Sequence, residues 1–169
     1  MMTMRERPGA IPQSIKRRSN IDPRLRHNGA SVDNSERFEQ LIAFVGAQLP
    51  KPVEEHQTDD GSFIFTGGEP AEVIVQVTEF TVLVAAFVAI PEGGDAAATE
   101  PQPVGELHWR LLPETAVMNA LSALIKGSRE ARLATYRVCL DCGQTRAPEE
   151  MAAEDLCRDC AEAPPKTVH

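Results

Sequence analysis

The chain has 169 residues, 42% hydrophobic and 25% charged, which is enough apolar content for one ordinary domain plus an appendage and unlike a wholly disordered chain. Its longest mainly apolar run, Phe80 to Ile90, is about half of the roughly 20 residues a membrane-crossing helix needs. No short apolar segment follows the basic N-terminus as a secretory signal would require, so the expectation is a soluble cytoplasmic protein with no membrane association. The net charge of −8 divides unevenly along the chain. Residues 1–30 carry seven Lys/Arg against Glu6 and Asp22, a net +5, while the remainder holds ten against 23, a net −13. An acidic body is a poor general binder of nucleic acid, because phosphate neutralisation requires clustered Lys and Arg. Such contact is expected only through the basic N-terminal arm.

Residues 1–32 mix Pro, Arg, Ser, Asn and Gly with isolated Ile and Leu and show no period of 3.6 or 2, which predicts an arm without fixed structure in isolation. The first periodic segment follows Asp33, with Glu36 three residues on as a capping-box-like pair. Phe38, Leu41, Ile42, Val45 and Leu49 then mark one face of an amphipathic helix that Pro50 and Pro52 end. The acidic stretch from Glu54-Glu55-His56 to Asp59-Asp60-Gly61 reads as a solvated loop, with a weak divalent-ion patch as its functional alternative.

From Ser62 the period changes to two. Phe63 to Phe65, Val73 to Val77 and Phe80 to Ile90 predict three strands, with Gly67-Gly68-Glu69-Pro70 breaking the first from the second and a tight turn near Thr78-Glu79. Pro91 to Pro103 reads as a loop, followed by a fourth strand in which Leu107, Trp109 and Leu111 alternate with Glu106, His108 and Arg110. A second helix is expected from Pro113-Glu114, presenting Val117, Leu121, Leu124, Ile125 and Ser128. Grouped strands flanked by helices argue an α+β domain over residues 33–134, with a four-stranded antiparallel sheet covered on one side. That body buries its own apolar faces and is expected to fold without the C-terminal residues.

All four cysteines, Cys139, Cys142, Cys157 and Cys160, lie within 22 residues, which is not how a disulfide-stapled domain distributes them. Two CxxC pairs with fourteen residues between them can close a tetrahedron of thiolates around one Zn²⁺, so residues 135–163 read as a zinc ribbon, with 164–169 a tail. Two redox CxxC motifs, two disulfides, or iron in place of zinc are the alternatives. Gly143 supplies the positive φ a knuckle often needs, and Cys157 and Cys160 are expected at the start of a short helical turn. Arg137, Arg146 and Arg158 are near enough to offset the charge of four thiolates. Four sulfurs leave no coordination position for water or substrate, so the metal is expected to be structural.

Tyr136, Cys139-Leu-Asp-Cys142-Gly143, Arg146, Met151-Ala152-Ala153 and Leu156-Cys157-Arg-Asp-Cys160, preceded by a helix, resemble the four-cysteine finger of the DksA/TraR family. That family binds RNA polymerase and adjusts transcription initiation. The resemblance covers about 25 of the 169 residues and implies the four metal ligands. The region that forms a coiled coil of two long helices in that family carries predicted strands here. His108, Trp109 and Tyr136 read as surface or packing residues, and no Gly-rich phosphate loop, G-x-S-x-G elbow or HExxH helix is present. The functional expectation is a non-enzymatic, zinc-binding interaction module, a protein-binding adaptor or regulator of transcription or translation machinery. A nucleic-acid-associated protein tethered by the arm is the second expectation, and an enzyme with a site on the outward sheet face is the third.

Overall fold

The computed structural model describes residues 29–90 and 98–163, with side chains from residue 34 onward. The expected arm up to residue 28, residues 91–97 of the expected 91–103 loop and the tail from residue 164 lie outside the described residues. No helix among the described residues is long and apolar enough to cross a membrane.

Helix α1 spans Gly29–Gln48, beginning four residues before the expected cap, so Asp33 lies inside the helix and does not start it. Ala30-Ser31-Val32 holds no breaker, and extending a formed helix adds one hydrogen bond per residue, which outweighs a local capping preference. The chain then forms β1 (Val53–Gln57), β2 (Phe63–Gly67), β3 (Val73–Val77), β4 (Val82–Ile90) and β5 (Ala98–Leu107). These pair in sequence order as a five-stranded antiparallel meander. Helix α2, Glu114–Leu133, comes after a 3₁₀ turn at Trp109–Leu111. The α+β class is as expected. The count of four strands is not.

The extra strand is β1, formed by the acidic stretch expected as a loop. It is an edge strand paired to β2 alone, and every residue after Val53 is exposed, so it carries no apolar alternation to betray it. Charges on an edge are ordinary protection against pairing with another chain. The loop shrinks to Thr58–Ser62. The Thr78 turn sits where expected and needs no glycine: the Thr78 hydroxyl oxygen accepts from the Phe80 and Thr81 N–H groups at 3.2 and 2.9 Å, and the Thr78 N–H donates to the Thr81 carbonyl at 2.8 Å.

The last strand is also displaced. β5 runs eight residues earlier than the expected 106–111 segment, through Pro101 and Pro103, because it is the other edge of the sheet, where prolines are tolerated. A bulge between Val84 and Ala85 absorbs its extra residue, Val104. Leu107 ends the strand, so the expected alternation breaks: Trp109 is 1% exposed in the 3₁₀ turn while Leu111 is 81% exposed. The Trp109 indole N–H donates to the Thr78 carbonyl at 3.1 Å, and Arg37 donates from α1 to the Trp109 and Leu112 carbonyls at 3.1 and 2.9 Å.

One face of the sheet is covered. Phe65, Val73, Val75, Val77, Val82 and Val84 meet Leu41, Val45 and Leu49 of α1 and Val117, Leu121 and Ile125 of α2 in a single buried cluster. α2 lies close enough to β5 that a Cβ on Gly105 would meet the Leu124 side chain at 2.8 Å. The outward face carries a concavity of about 150 Å³ lined by Ile64, Ile74, Leu83, Ala85, two prolines and Gln76, none of which titrates.

After α2 come two short hairpins, β6 (Arg137–Val138) with β7 (Thr145–Arg146) and β8 (Met151–Ala153) with β9 (Leu156–Cys157), and then α3 (Arg158–Glu162). Their apolar interior is small, with Cys139, Met151 and Cys157 buried and Leu156 and Cys160 packed against them.

Candidate metal centre

Each hairpin delivers one pair of cysteines. Cys139 comes directly after β6, Cys142 precedes Gly143 in the first knuckle, Cys157 ends β9, and Cys160 lies within α3. Gly143 has φ of 69°, and its N–H donates to the Cys139 carbonyl at 2.8 Å, closing the knuckle as the spacing predicts. Cys157 stands at the start of the short helix, also as expected. The two knuckles are tied together by the Leu140 N–H donating to the Asp155 carbonyl at 2.9 Å.

The four sulfurs lie within 4.8 Å of one another, with Cys139 and Cys157 buried, Cys160 half-buried and Cys142 exposed. Metal–sulfur bonds of about 2.3 Å in a tetrahedron place the sulfurs about 3.8 Å apart. The Cys142 and Cys157 sulfurs are 3.9 Å apart, which fits that geometry and is nearly twice a disulfide bond. The four thiols are unbridged. Among the described residues, this is the group of Cys, His, Asp and Glu side chains whose ligand atoms lie close enough to share an ion.

Hydrogen bonds at the sulfurs shift two of the thiols in opposite directions. The Cys139 thiol is lowered from 9.0 to about 6, first by the Cys157 backbone N–H, 3.4 Å from its sulfur, and next by the Cys142 N–H. The Cys160 thiol is raised, first because it serves as hydrogen-bond donor to Cys157 and next because it is desolvated. A cation held by Cys139, Cys142, Cys157 and Cys160 would favour their thiolate forms. Of the three arginines expected near the sulfurs, Arg146 interacts electrostatically with Cys157 and Cys142, and it is held by Asp159 at 3.0 Å and Glu150 at 3.6 Å. Arg137 turns instead to Glu154 at 3.8 Å.

The remaining sequence candidates fall elsewhere. His108 is exposed in the connection after β5, and its carbonyl accepts the Leu111 N–H at 3.0 Å. Asp60 holds the β1–β2 turn: the Thr58 hydroxyl and the Ser62 N–H bond its carboxylate and keep its pKa below the usual value. Arg110 stacks on Phe80 at 4.6 Å and pairs with Glu79 at 2.9 Å.

One charged pair escaped the sequence reading. Arg132, on the last turn of α2, is buried with its side chain 1% exposed and pairs with Glu149 of the cysteine segment. Its spacing from Val117, Leu121, Ile125 and Ser128 places it on the helix's buried stripe, which is the signal that was available. What these elements assemble is a cluster of four cysteine sulfurs positioned to bind a metal ion, and comparison with protein-family models, curated proteins and solved structures gave no match for this chain.

Proposed function

We propose that this chain is a non-enzymatic interaction module in which Cys139, Cys142, Cys157 and Cys160 hold one structural zinc ion, and that it acts as an adaptor or regulator of transcription or translation machinery. The observation that carries the metal is the sulfur cluster itself, four candidate ligand atoms within 4.8 Å of one another. Zinc is the metal this donor set favours, since closed four-cysteine sites of this kind are ordinarily structural zinc sites. A closed site offers no position for substrate, so its use is to fix a surface. The surface it fixes includes Leu140, 76% exposed between the first two ligands, and Val138, 53% exposed. Exposed aliphatic side chains held on a rigid knuckle suit contact with a protein.

The resemblance of residues 136–160 to the DksA/TraR finger makes RNA polymerase the first partner to try. Metal analysis of purified, reduced protein should return about one zinc per chain by the four-ligand argument. Binding to purified RNA polymerase and ribosomes, measured with and without Cys142→Ser, tests the rest. A metal-free protein with an ordered cysteine segment ends the zinc reading. Equal binding by the native and Cys142→Ser chains ends the role given to the knuckle.

A further inference from the structure

We propose that the Arg132–Glu149 pair is a metal-dependent latch, through which occupancy of the cysteine site controls the order of the last two turns of α2. The inference rests on the reading of the cysteine cluster as a metal site. The body and the cysteine segment have separate apolar interiors, so a shared hydrophobic core does not join them. Polar groups do. Arg132 donates from Nη2 to Glu149 Oε1, and its guanidinium stacks on Tyr136 at 5.4 Å. Beside them, within the body, Arg129 bonds Glu72, the residue before β3, at 2.6 Å.

The pair is arranged so that neither half is indifferent to losing the other. Arg132 Nε and Nη1, Glu149 Oε2, Tyr136 Oη and Ser128 Oγ are all buried, and no described residue gives them a hydrogen-bond partner. Among the described residues, Glu149 is therefore the ion-pair partner of a guanidinium withdrawn from water. A buried charge stripped of its partner strongly destabilises the structure that buries it, unless that structure opens to hydrate it. Glu149 sits on the 3₁₀ turn Pro148–Glu150, between the two cysteine pairs, and that turn is held by the Glu150 carboxylate accepting the Ala147 N–H at 3.0 Å.

Four buried residues, Cys139, Ala147, Met151 and Cys157, cannot order this segment, since their burial does not offset the conformational entropy of fixing its backbone. Metal binding supplies the difference, so metal loss withdraws Glu149. Arg132 then reaches water by fraying the helix end that carries it. The metal state is in this way transmitted from the knuckles to the body.

Hydrogen exchange on the full chain, with bound zinc measured on the same samples, tests the latch. Stripping zinc with a chelator should speed exchange across residues 126–133 by about tenfold or more while β3 and β4 keep their protection. Glu149→Ala should speed the same amides with zinc still bound. Arg132→Met, which fills the site without a charge, should hold their protection when zinc is stripped. Stoichiometric zinc with unchanged helix-end exchange after stripping, or after Glu149→Ala, overturns the latch and leaves the metal site standing. A native chain that binds no zinc overturns both.

Discussion

At the scale of single residues, the chemistry of the site is set by hydrogen bonds to sulfur. Cys139 is lowered to about 6 because the Cys157 N–H, and after it the Cys142 N–H, favour the thiolate, and a thiol in the unfolded chain titrates near 9.0. A depressed folded pKa contributes stability that is complete above the unfolded value and is lost as pH falls through the folded one. A bound metal holds its ligands as thiolates, so acidification should release the metal and, with it, the order of the cysteine segment. Titrating zinc release with a coloured indicator, alongside exchange at residues 137–157, checks this. Zinc retention that does not change on acidification contradicts ligation by thiolates. The four ligands were legible in the sequence because their chemistry depends on spacing alone. Arg132 was less legible, since its burial becomes visible only when an arginine is noticed at the phase of an apolar stripe.

At the scale of elements, legibility tracks burial. β3 reads clearly because Val73, Val75 and Val77 are buried and alternate with half-buried Ile74 and Gln76. α2 is equally clear, with a proline at its start and a stripe of buried residues along one side. The two edge strands were missed or displaced for the same reason. β1 has no buried residue and β5 has an exposed run from Glu100 to Val104, so neither repeats an apolar residue every second position. Edges are built from charges and prolines that resist pairing, and those are also the residues that signal loops. What β5 does show is a close approach to the helix at Gly105. Adding a methyl group there brings Cβ to 2.8 Å from Leu124 Cδ2, so the half-buried Leu124 side chain has to shift. Gly105→Ala should cost about 1 kcal/mol in urea unfolding, the low end of overpacking, because the tip of a half-buried side chain can give way. Combining it with Leu124→Ala should cost less than the two changes summed, because the second creates the space the first needs. Strict additivity would show that α2 does not press on β5 at this point.

At the scale of the whole molecule, the question is how far the body stands alone. Its core of thirteen buried side chains comes entirely from residues 41–125, so a chain ending at Ala134 retains every apolar contact that forms it. Such a chain should fold and melt cooperatively. It should not match the stability of the full chain, because it keeps Arg132 and loses Glu149. Removing one partner of a buried ion pair costs about 3–5 kcal/mol when the survivor stays buried, and less when a chain end opens to hydrate it. For a domain of this size each kcal/mol lowers the melting temperature by roughly 4–8 °C, so the deficit is large enough to measure. The sign of a second change separates charge from packing. Arg132→Met in the shortened chain should raise the melting temperature, since it removes the unpaired charge and leaves an apolar side chain on the same stripe. In the full chain the same substitution strands Glu149, whose carboxylate is less buried than the guanidinium, and the effect there should be neutral or destabilising. If Arg132→Met instead lowers the melting temperature of the shortened chain, the guanidinium is being satisfied within the body. The cysteine segment would then be an appendage to that body and not part of its fold.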